Sequence, residues 1–384
     1  MSVFVTILIL LFTTLYATSK WQLIAPKKFD ITRSLDKTRV NIGEEVQITT
    51  TMINKKWIPL PWVSVFTYVP QSFLFNGMPI PFLTAERLAE YNIVTSFLFY
   101  ERVKRHDKFT CNKRGYYKLD APTVTFGDLF GFAKAEITVQ SDVALYVYPR
   151  QMPLQSFRLI PNTLQGPISV KRWIMPDPIQ AIGARAYTHD DSFNMIDWKA
   201  SAKLGELQVK KMDHTADISM MVLLDVQTAK MHWNEIDRDS IEKGVEIAAS
   251  LIKEAFSLKI PVGFCANSVD AFMRNAIMIK PANTPNQKVQ ILDALAMVTP
   301  FRGVAMEKLM REATIAFNNM SLIILITSFL SVELIETLNQ KCKQGARIKL
   351  ILTKASTNTA KLDRKIECYH SLSDEVEGLK HEHI

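Results

Sequence analysis

The C-terminal half of the chain alternates short apolar runs with segments whose apolar residues fall on one helical face, and few architectures accept that order. Ile218-Ser-Met-Met-Val-Leu-Leu224 is almost continuously apolar, and Ile241, Val245, Ala248, Ile252 and Ala255 then line one side of a helix. Pro261–Cys265 is a second apolar run, Val289–Val298 and Ala305–Phe317 read as helices, and Leu322–Thr327 is a third strand. Val332–Cys342 is helical again, and Ile348–Leu352 is a fourth strand. Strands buried on both faces read as unbroken apolar runs, so this order predicts an α/β domain at 217–384 with a mostly parallel sheet between layers of helices.

The N-terminal half follows a different period. In Val46-Gln-Ile-Thr-Thr-Thr-Met52 apolar and polar positions alternate after the turn signal Asn41-Ile-Gly43, as a half-buried strand requires. Further short runs stand at Trp62–Val69, Ser96–Val103, Tyr116–Leu119, Thr123–Phe126 and Val143–Tyr148, with Asn54-Lys-Lys56 as a loop. Many short strands predict a β-sandwich of immunoglobulin-like type over 21–150. Pro59, Pro61, Pro70, Pro79 and Pro81 then belong to edges and loops, because proline cannot donate to a ladder. Between the halves, 151–216 loses periodicity and gathers Pro153, Pro161, Pro167, Pro176 and Pro178, which predicts an irregular strap over a neighbouring surface.

Ahead of the sandwich, Val3–Ala17 carries no charge, and Val3–Trp21 is 19 residues long, enough for a bilayer core that needs ~17–25. Residues 1–20 are therefore expected to be a membrane helix. No Lys or Arg precedes the apolar stretch, which disfavours the alternative, a cleaved secretory signal. Lys20, Lys27, Lys28, Arg33, Lys37 and Arg39 follow it, so the positive-inside rule predicts a single-pass anchor in the cell membrane with the bulk of the chain cytoplasmic. These cations suit an anionic lipid surface.

Lys plus Arg exceed Asp plus Glu by 46 − 38, a net charge of +8. A nucleic-acid interface would want such charge interleaved with stacking aromatics, and only Lys171-Arg-Trp173 with Lys210-Lys211 approaches that, so no nucleic acid is expected as a partner. Cys111, Cys265, Cys342 and Cys368 form no C-x-x-C pair, which leaves free thiols as the expectation and no zinc site. No Walker loop is present. His189, Asp190, Asp191 and Ser192 bring an imidazole, carboxylates and a hydroxyl together, but adjacent residues seldom point at one another, so no catalytic set is assigned. His214 beside Asp213 reads as a surface pair, and His370, His381 and His383 lack metal-site spacing. The chain is expected not to be an enzyme and to need no cofactor.

In a parallel sheet the ligand crevice lies at the carboxyl ends of the strands. The first strand ends at Asp225-Val-Gln-Thr-Ala229, where a carboxylate could be half of a hard-cation site. An apolar strand ending in Asp-x-Ser-x-Ser is the metal-ion-dependent adhesion motif of von Willebrand factor A domains, and the chain resembles that fold in a degenerate form. Gln227 and Ala229 stand at the serine places, Val304 at the threonine and Ser328 at the later aspartate, leaving Asp225 as the one clear ligand position. No metal is expected there, and Asp225 is expected to accept hydrogen bonds from nearby backbone N–H groups.

Arg185-Ala-Tyr187, Asp190-Asp191, Asn194, Ile196-Asp197-Trp198 and Ser201-Ala202-Lys203 form an ordered series that resembles the signature of the domain-of-unknown-function family number 58. Asp190, Asn194 and Lys203 depart from that pattern. Gly43-Glu44, Asn54, Arg114-Gly115-Tyr116, Asp128-Leu-Phe-Gly131 and Val147-Tyr-Pro149 also resemble the strand-rich domain of that family. The resemblance implies a bacterial, membrane-anchored protein with a von Willebrand A-like (Rossmann-like) C-terminal domain, associated with AAA+ ATPases of the MoxR type. It implies an adaptor or scaffold in protein-complex assembly or envelope stress. Within the signature, Tyr187 and Trp198 are expected to pack the strap onto the α/β domain, with Arg185, Asp191 and Asp197 in buried or interfacial charge pairs, and Ser201 counts among the same signature and interaction residues. A purely structural clamp is the competing role for the same residues. The alternatives to an adaptor are an envelope-facing adhesion module or a structural membrane protein with no ATPase partner. The overall expectation is a multidomain α+β chain of membrane helix, β-sandwich, strap and α/β domain.

Overall fold

The computed structural model describes residues 2–75, 78–79, 88–128, 133–152, 181–188, 191–212, 219–230, 235–317, 322–354, 359–371 and 379–382. Pro81, Pro153, Pro161, Pro167, Pro176, Pro178, Lys171, Trp173, His189, Asp190, Asp213, His214 and His383 lie outside them. The chain divides into two compact units, Met1–Arg150 with Leu295–Met297, and Gln151–Ala294 with Val298–Ile384.

The first unit opens with helix α1 (Ser2–Ile24). Its strands are β1 (Phe29–Leu35), β2 (Arg39–Asn41), β3 (Glu45–Asn54), β4 (Leu60–Pro70), β5 (Phe73–Phe75), β6 (Met78–Pro79), β7 (Leu88–Phe97), β8 (Arg102–Cys111), β9 (Gly115–Lys118), β10 (Thr123–Gly127), β11 (Lys134–Thr138) and β12 (Ala144–Tyr148). They form sheets in the orders β1-β3-β8-β5-β6, β11-β10-β4-β7 and β2-β12-β9. Alternation places Val46, Ile48, Thr50, Met52 and Asn54 of β3 inward. The sheets share one core, in which the Phe29 ring meets Phe97 and Phe126 edge-on at 5.4 and 5.1 Å.

Two details differ from the sequence reading. Ser96–Val103 is not one strand: β7 ends at Phe97, β8 starts at Arg102, and Tyr100 between them has φ 54°. The Glu101 carboxylate accepts the Leu98 N–H at 2.6 Å, which closes the turn locally. Pro61 lies in β4, which has β10 and β7 as neighbours, and is tolerated because the β4–β7 register shifts between Leu60 and Val63. At the N-terminus, Ser2–Ile24 is a single helix of 23 residues. Among the described residues, no helix is long and apolar enough to cross a membrane.

The second unit contains β13 (Ala181–Ala186), a 3-10 turn at Phe193–Met195, α2 (Trp198–Leu204), β14 (Gln208–Met212), β15 (Met220–Leu224), α3 (Arg238–Ser257), β16 (Val262–Ala266), β17 (Ser268–Asp270), β18 (Ile277–Ala282), α4 (Pro285–Met297), β19 (Val298–Arg302), α5 (Met306–Ala316), β20 (Leu322–Thr327), α6 (Val332–Lys343), β21 (Ile348–Leu352), β22 (Glu367–Ser371) and β23 (Leu379–Glu382). The main sheet runs β18-β16-β15-β20-β21-β22-β23. Its five inner strands are parallel, and β18 and β23 close the edges antiparallel. Met221, Leu223, Ile323, Leu325 and Leu350 pack with α5 and α6 on one face. On the other, Gly244 of α3 brings the helix so close that an added Cβ would lie 3.1 Å from Leu224 Cδ1. The chain starts in β15, moves to β16 and returns to β20 on the other side of β15, so the switch point lies between β15 and β20.

Within the expected strap, residues 181–188 and 191–212 are ordered structure rather than irregular chain. β13 and β14 pair antiparallel, and the turn between them carries α2. Local capping drives this, since Asp197 starts α2 and Gly205, with φ 74°, ends it.

Candidate functional site

Asp225 follows the last residue of β15 and is buried. Its Oδ1 accepts the Gln227 N–H at 2.9 Å and the Asn267 Nδ2–H at 2.7 Å, while Oδ2 lies 2.9 Å from Thr327 Oγ1. The backbone hydrogen bond is the expected one. Asn267 follows β16 and also accepts the Val226 N–H at 2.9 Å, so its amide ties the first two strand ends together. Thr327 is the last residue of β20, and its Oγ1 also lies 2.7 Å from the Phe329 carbonyl oxygen. One hydroxyl proton cannot serve both acceptors. When Asp225 is protonated, its own O–H donates to Thr327 and frees the threonine proton for Phe329. Burial pushes the Asp225 carboxyl up to about 6, against the three hydrogen bonds that favour its ionised form.

Gln227 donates from Nε2 to the Ala229 carbonyl at 3.0 Å and accepts at Oε1 from Arg302 Nη1 at 2.5 Å. Ser328 Oγ donates to the Gln227 carbonyl at 3.2 Å. Val304 packs instead against the core under α5 and α6. The structure thus brings Asp225, Gln227, Ala229 and Ser328 together and separates Val304 by function. A divalent cation would need free oxygens in near-octahedral array. Both Asp225 oxygens are engaged here, the Gln227 oxygen holds a guanidinium, and the residues do not fit such an ion. Among the described residues, no three His, Cys, Asp or Glu side chains are grouped to hold a metal.

Beyond these groups opens a cavity of about 470 Å³ lined by Gln227, Lys230, Arg302, Glu307, Ser331 and Glu333 among others. Ser331 caps α6 through the Leu334 N–H at 3.0 Å and donates to Glu307 at 2.5 Å. The cavity walls carry two cations and two carboxylates, a surface that can bind a polar or charged group. The sequence reading missed Asn267, Thr327 and Arg302. The first two directly follow or end apolar runs, the position where strand-end ligands belong, so that signal was available.

The signature residues form a second constellation. Arg185 donates to Asp191 through both terminal nitrogens, at 2.7 and 2.5 Å, and Thr188 donates to Asp191 from N at 2.9 Å and Oγ1 at 2.7 Å. The Arg185 guanidinium holds the Asp191 carboxyl well below the usual carboxylate range. Of the two expected settings, buried or interfacial, the buried one does not hold: Arg185 is exposed and Asp191 half-buried at the surface. Asp197 makes no charge pair with it and instead accepts the N–H groups of Lys199 and Ala200 at 3.1 and 3.0 Å. Ser201 Oγ donates to the Asp197 carbonyl at 2.7 Å and accepts the Gln208 N–H at 2.8 Å, locking α2 onto β14. Trp198 does not pack as expected: it is 68% exposed, and Phe193 is 71% exposed. The half-buried Tyr187 ring faces Phe193, centroid to centroid 5.9 Å. Asp197 takes the N-cap, which sets Trp198 as the first helical residue, pointing outward.

Residues 183–355 match the family model described as protein of unknown function DUF58. The DUF58 match therefore takes in both the signature hairpin and the sheet through β21. The uncharacterized protein YeaD of Bacillus subtilis strain 168 is 22% identical over 227 residues, which is 59% of this chain and 52% of YeaD. The chain thus spans about half the length of that curated relative. Among solved structures, the CARDB domain of a Pyrococcus furiosus protein is similar at 15% identity, covering 32% of this chain and 94% of that one, with TM-score 0.20. A type II cohesin module of the Acetivibrio cellulolyticus scaffoldin ScaA gives 16% identity, 27% and 72% coverage, and TM-score 0.18.

Proposed function

We propose that this chain is a non-enzymatic adaptor, anchored in the cell membrane by Val3–Trp21, that couples an AAA+ ATPase of the MoxR type to a client in protein-complex assembly or envelope stress. The observation that carries the reading is the DUF58 signature itself. Its polar residues are used in closing their own hairpin, while Phe193 and Trp198 are left exposed beside one another in sequence order. Large exposed aromatics on a rigid element are what a partner surface needs, because they bury much area at little entropic cost. The ATPase partner rests on the family resemblance. The sheet order β18-β16-β15-β20-β21-β22, with an antiparallel β18, and Asp225 at a strand end support a von Willebrand A-like reading of the α/β domain.

The anchor rests on the uncharged run Val3–Ala17 and on the continuous helix over Ser2–Ile24, with Phe4, Ile7, Ile9 and Phe12 exposed. The lysines that follow it favour a cytoplasmic bulk by the positive-inside rule. A reporter enzyme fused to the C-terminus is expected to be active only inside the cell; activity confined to the outer face refutes the orientation.

The test of the adaptor is gentle detergent extraction of the tagged protein from its host, with mass spectrometry of what stays bound with and without ATP. Nucleotide-dependent recovery of an AAA+ ATPase, lost in Trp198→Ala and Asp191→Asn at unchanged thermal stability, is the expected result. Recovery of only lipid or envelope components after mild crosslinking overturns the adaptor.

A further inference from the structure

One end of the sandwich is built around the close of α1. Ala25 is buried in the sandwich core, and Trp21 packs against it. Lys56, buried in the loop after β3, donates from Nζ to the carbonyls of Ala25 at 2.7 Å and Lys27 at 3.0 Å, so it caps the chain as it leaves the helix. The Lys55 N–H donates to the Lys28 carbonyl at 2.8 Å, and Gln22 Nε2 donates to the Lys134 carbonyl at 2.7 Å. The last turn of the helix and the residues that follow it are thus fastened to this end of the unit.

The same end holds two loops that are tied to one another. Asn54, fully buried, donates from Nδ2 to the Ile58 carbonyl at 2.9 Å and the Leu98 carbonyl at 2.8 Å. The Tyr100 N–H donates to the Lys56 carbonyl at 3.0 Å. These bonds hold the loops stiffly, yet what the loops display is apolar: Trp57, Leu98, Phe99 and Tyr100 are 73%, 62%, 63% and 69% exposed. Leu23 on the last turn of α1 is exposed, and Lys27 and Lys28 are exposed between helix and β1. Rigid presentation of four large apolar side chains to water calls for a surface they can enter.

We propose that the 55–59 and 98–101 loops form a foot that enters the headgroup layer of an anionic bilayer beside α1. The occupant follows from three features together. Trp and Tyr favour the membrane interface, where the ring is buried and the polar edge stays wet. Lysines flank the patch and suit acidic headgroups, although Lys55 is also paired with Asp30. The 55–59 loop is hydrogen-bonded to the residues that directly follow the apolar helix. The foot would fix the tilt of the sandwich on the membrane, which a single helix cannot do. It rests on the anchor reading for its geometry, and the experiment separates the two.

Cys111, Cys265, Cys342 and Cys368 are buried, so a thiol introduced by Phe99→Cys takes an environment-sensitive fluorophore. Gln71→Cys is the control: Gln71 follows Pro70, which pairs with Leu88, whereas Leu60 at the other end of β4 pairs with Phe97 beside the foot. The full chain is reconstituted in vesicles of phosphatidylcholine with phosphatidylglycerol that carry a spin label near the headgroup. The label at 99 is expected to shift to the blue and to be quenched at least about twofold more than the label at 71. Equal quenching at the two positions overturns the foot and leaves the patch to a protein partner. Release of the chain by alkaline carbonate refutes the anchor. If carbonate releases a chain whose position 99 was quenched only on acidic vesicles, the foot stands without the anchor.

Discussion

Asp225 shows how one buried carboxyl can make a domain respond to pH. Its ordinary pKa, ~3.9 in an unfolded chain, is pushed up to about 6 by burial in the folded state. Between those values the folded state binds more protons, so stability falls as pH rises from about 4 to about 6 and is level above. The full effect is on the order of 3 kcal/mol. Asp225→Asn keeps an acceptor for the Gln227 and Asn267 N–H groups and removes the titration. Denaturant unfolding of the α/β unit is therefore expected to lose stability between about pH 4 and about pH 6 in the parent chain by more than in the variant, where the half-buried Glu254 carboxyl still contributes a fall; parallel profiles would refute the assignment. Asn54 makes a second prediction at this scale. Asn54→Ala breaks both bonds to the loop carbonyls and is expected to cost ~2 kcal/mol in an unfolding titration.

Among the elements, α2 depends on its ends. It spans only Trp198–Leu204 and buries no residue, so capping rather than packing keeps it helical. Asp197→Ala is expected to cost ~1 kcal/mol locally, read as faster hydrogen exchange at the Ala200 and Ser201 amides with the β15–β16 amides unchanged. Global loss of protection would instead place Asp197 in the core of the unit. The turn before α5 obeys a steric rule. A Cβ at Gly303 would fall on the Asn275 carbonyl. Gly303→Ala is expected to destabilise the second unit by about 3 kcal/mol or more, visible as a lowered denaturation midpoint, and an unchanged midpoint would show that the turn can shift.

Across the whole molecule, the thiols report folding and not topology. All four cysteines are free and buried, and burial pushes the Cys111 and Cys265 thiols up to about 12. A thiol reagent is expected to find none of the four in the native chain and all of them after denaturation. Reaction of native protein at neutral pH would mean that a unit opens readily. Labelling Cys111 from outside the cell therefore cannot decide which face the sandwich occupies. The Gln71→Cys thiol, exposed and at the other end of β4 from the foot, can.

The local periods were legible without coordinates. Leu322–Thr327 and Ile348–Leu352 have the bounds read from their apolar runs, and β3 extends the alternating run Val46–Met52 by a few residues. Burial on one or both faces writes itself into neighbouring residues, which is why strand and helix order and the apolar N-terminal run show in the chain alone. The rest depended on contacts between distant segments. Asn267 and Thr327 meet Asp225 across 42 and 102 residues, and no local period encodes that meeting. Trp198 reads as core by residue type and stands outside because Asp197 takes the cap. Ser96–Val103 reads as strand by composition, yet Asn54 and Glu101 fold its middle into an exposed turn. Hydrophobicity says that a residue gains from burial; only the tertiary arrangement decides whether a neighbour is there to bury it.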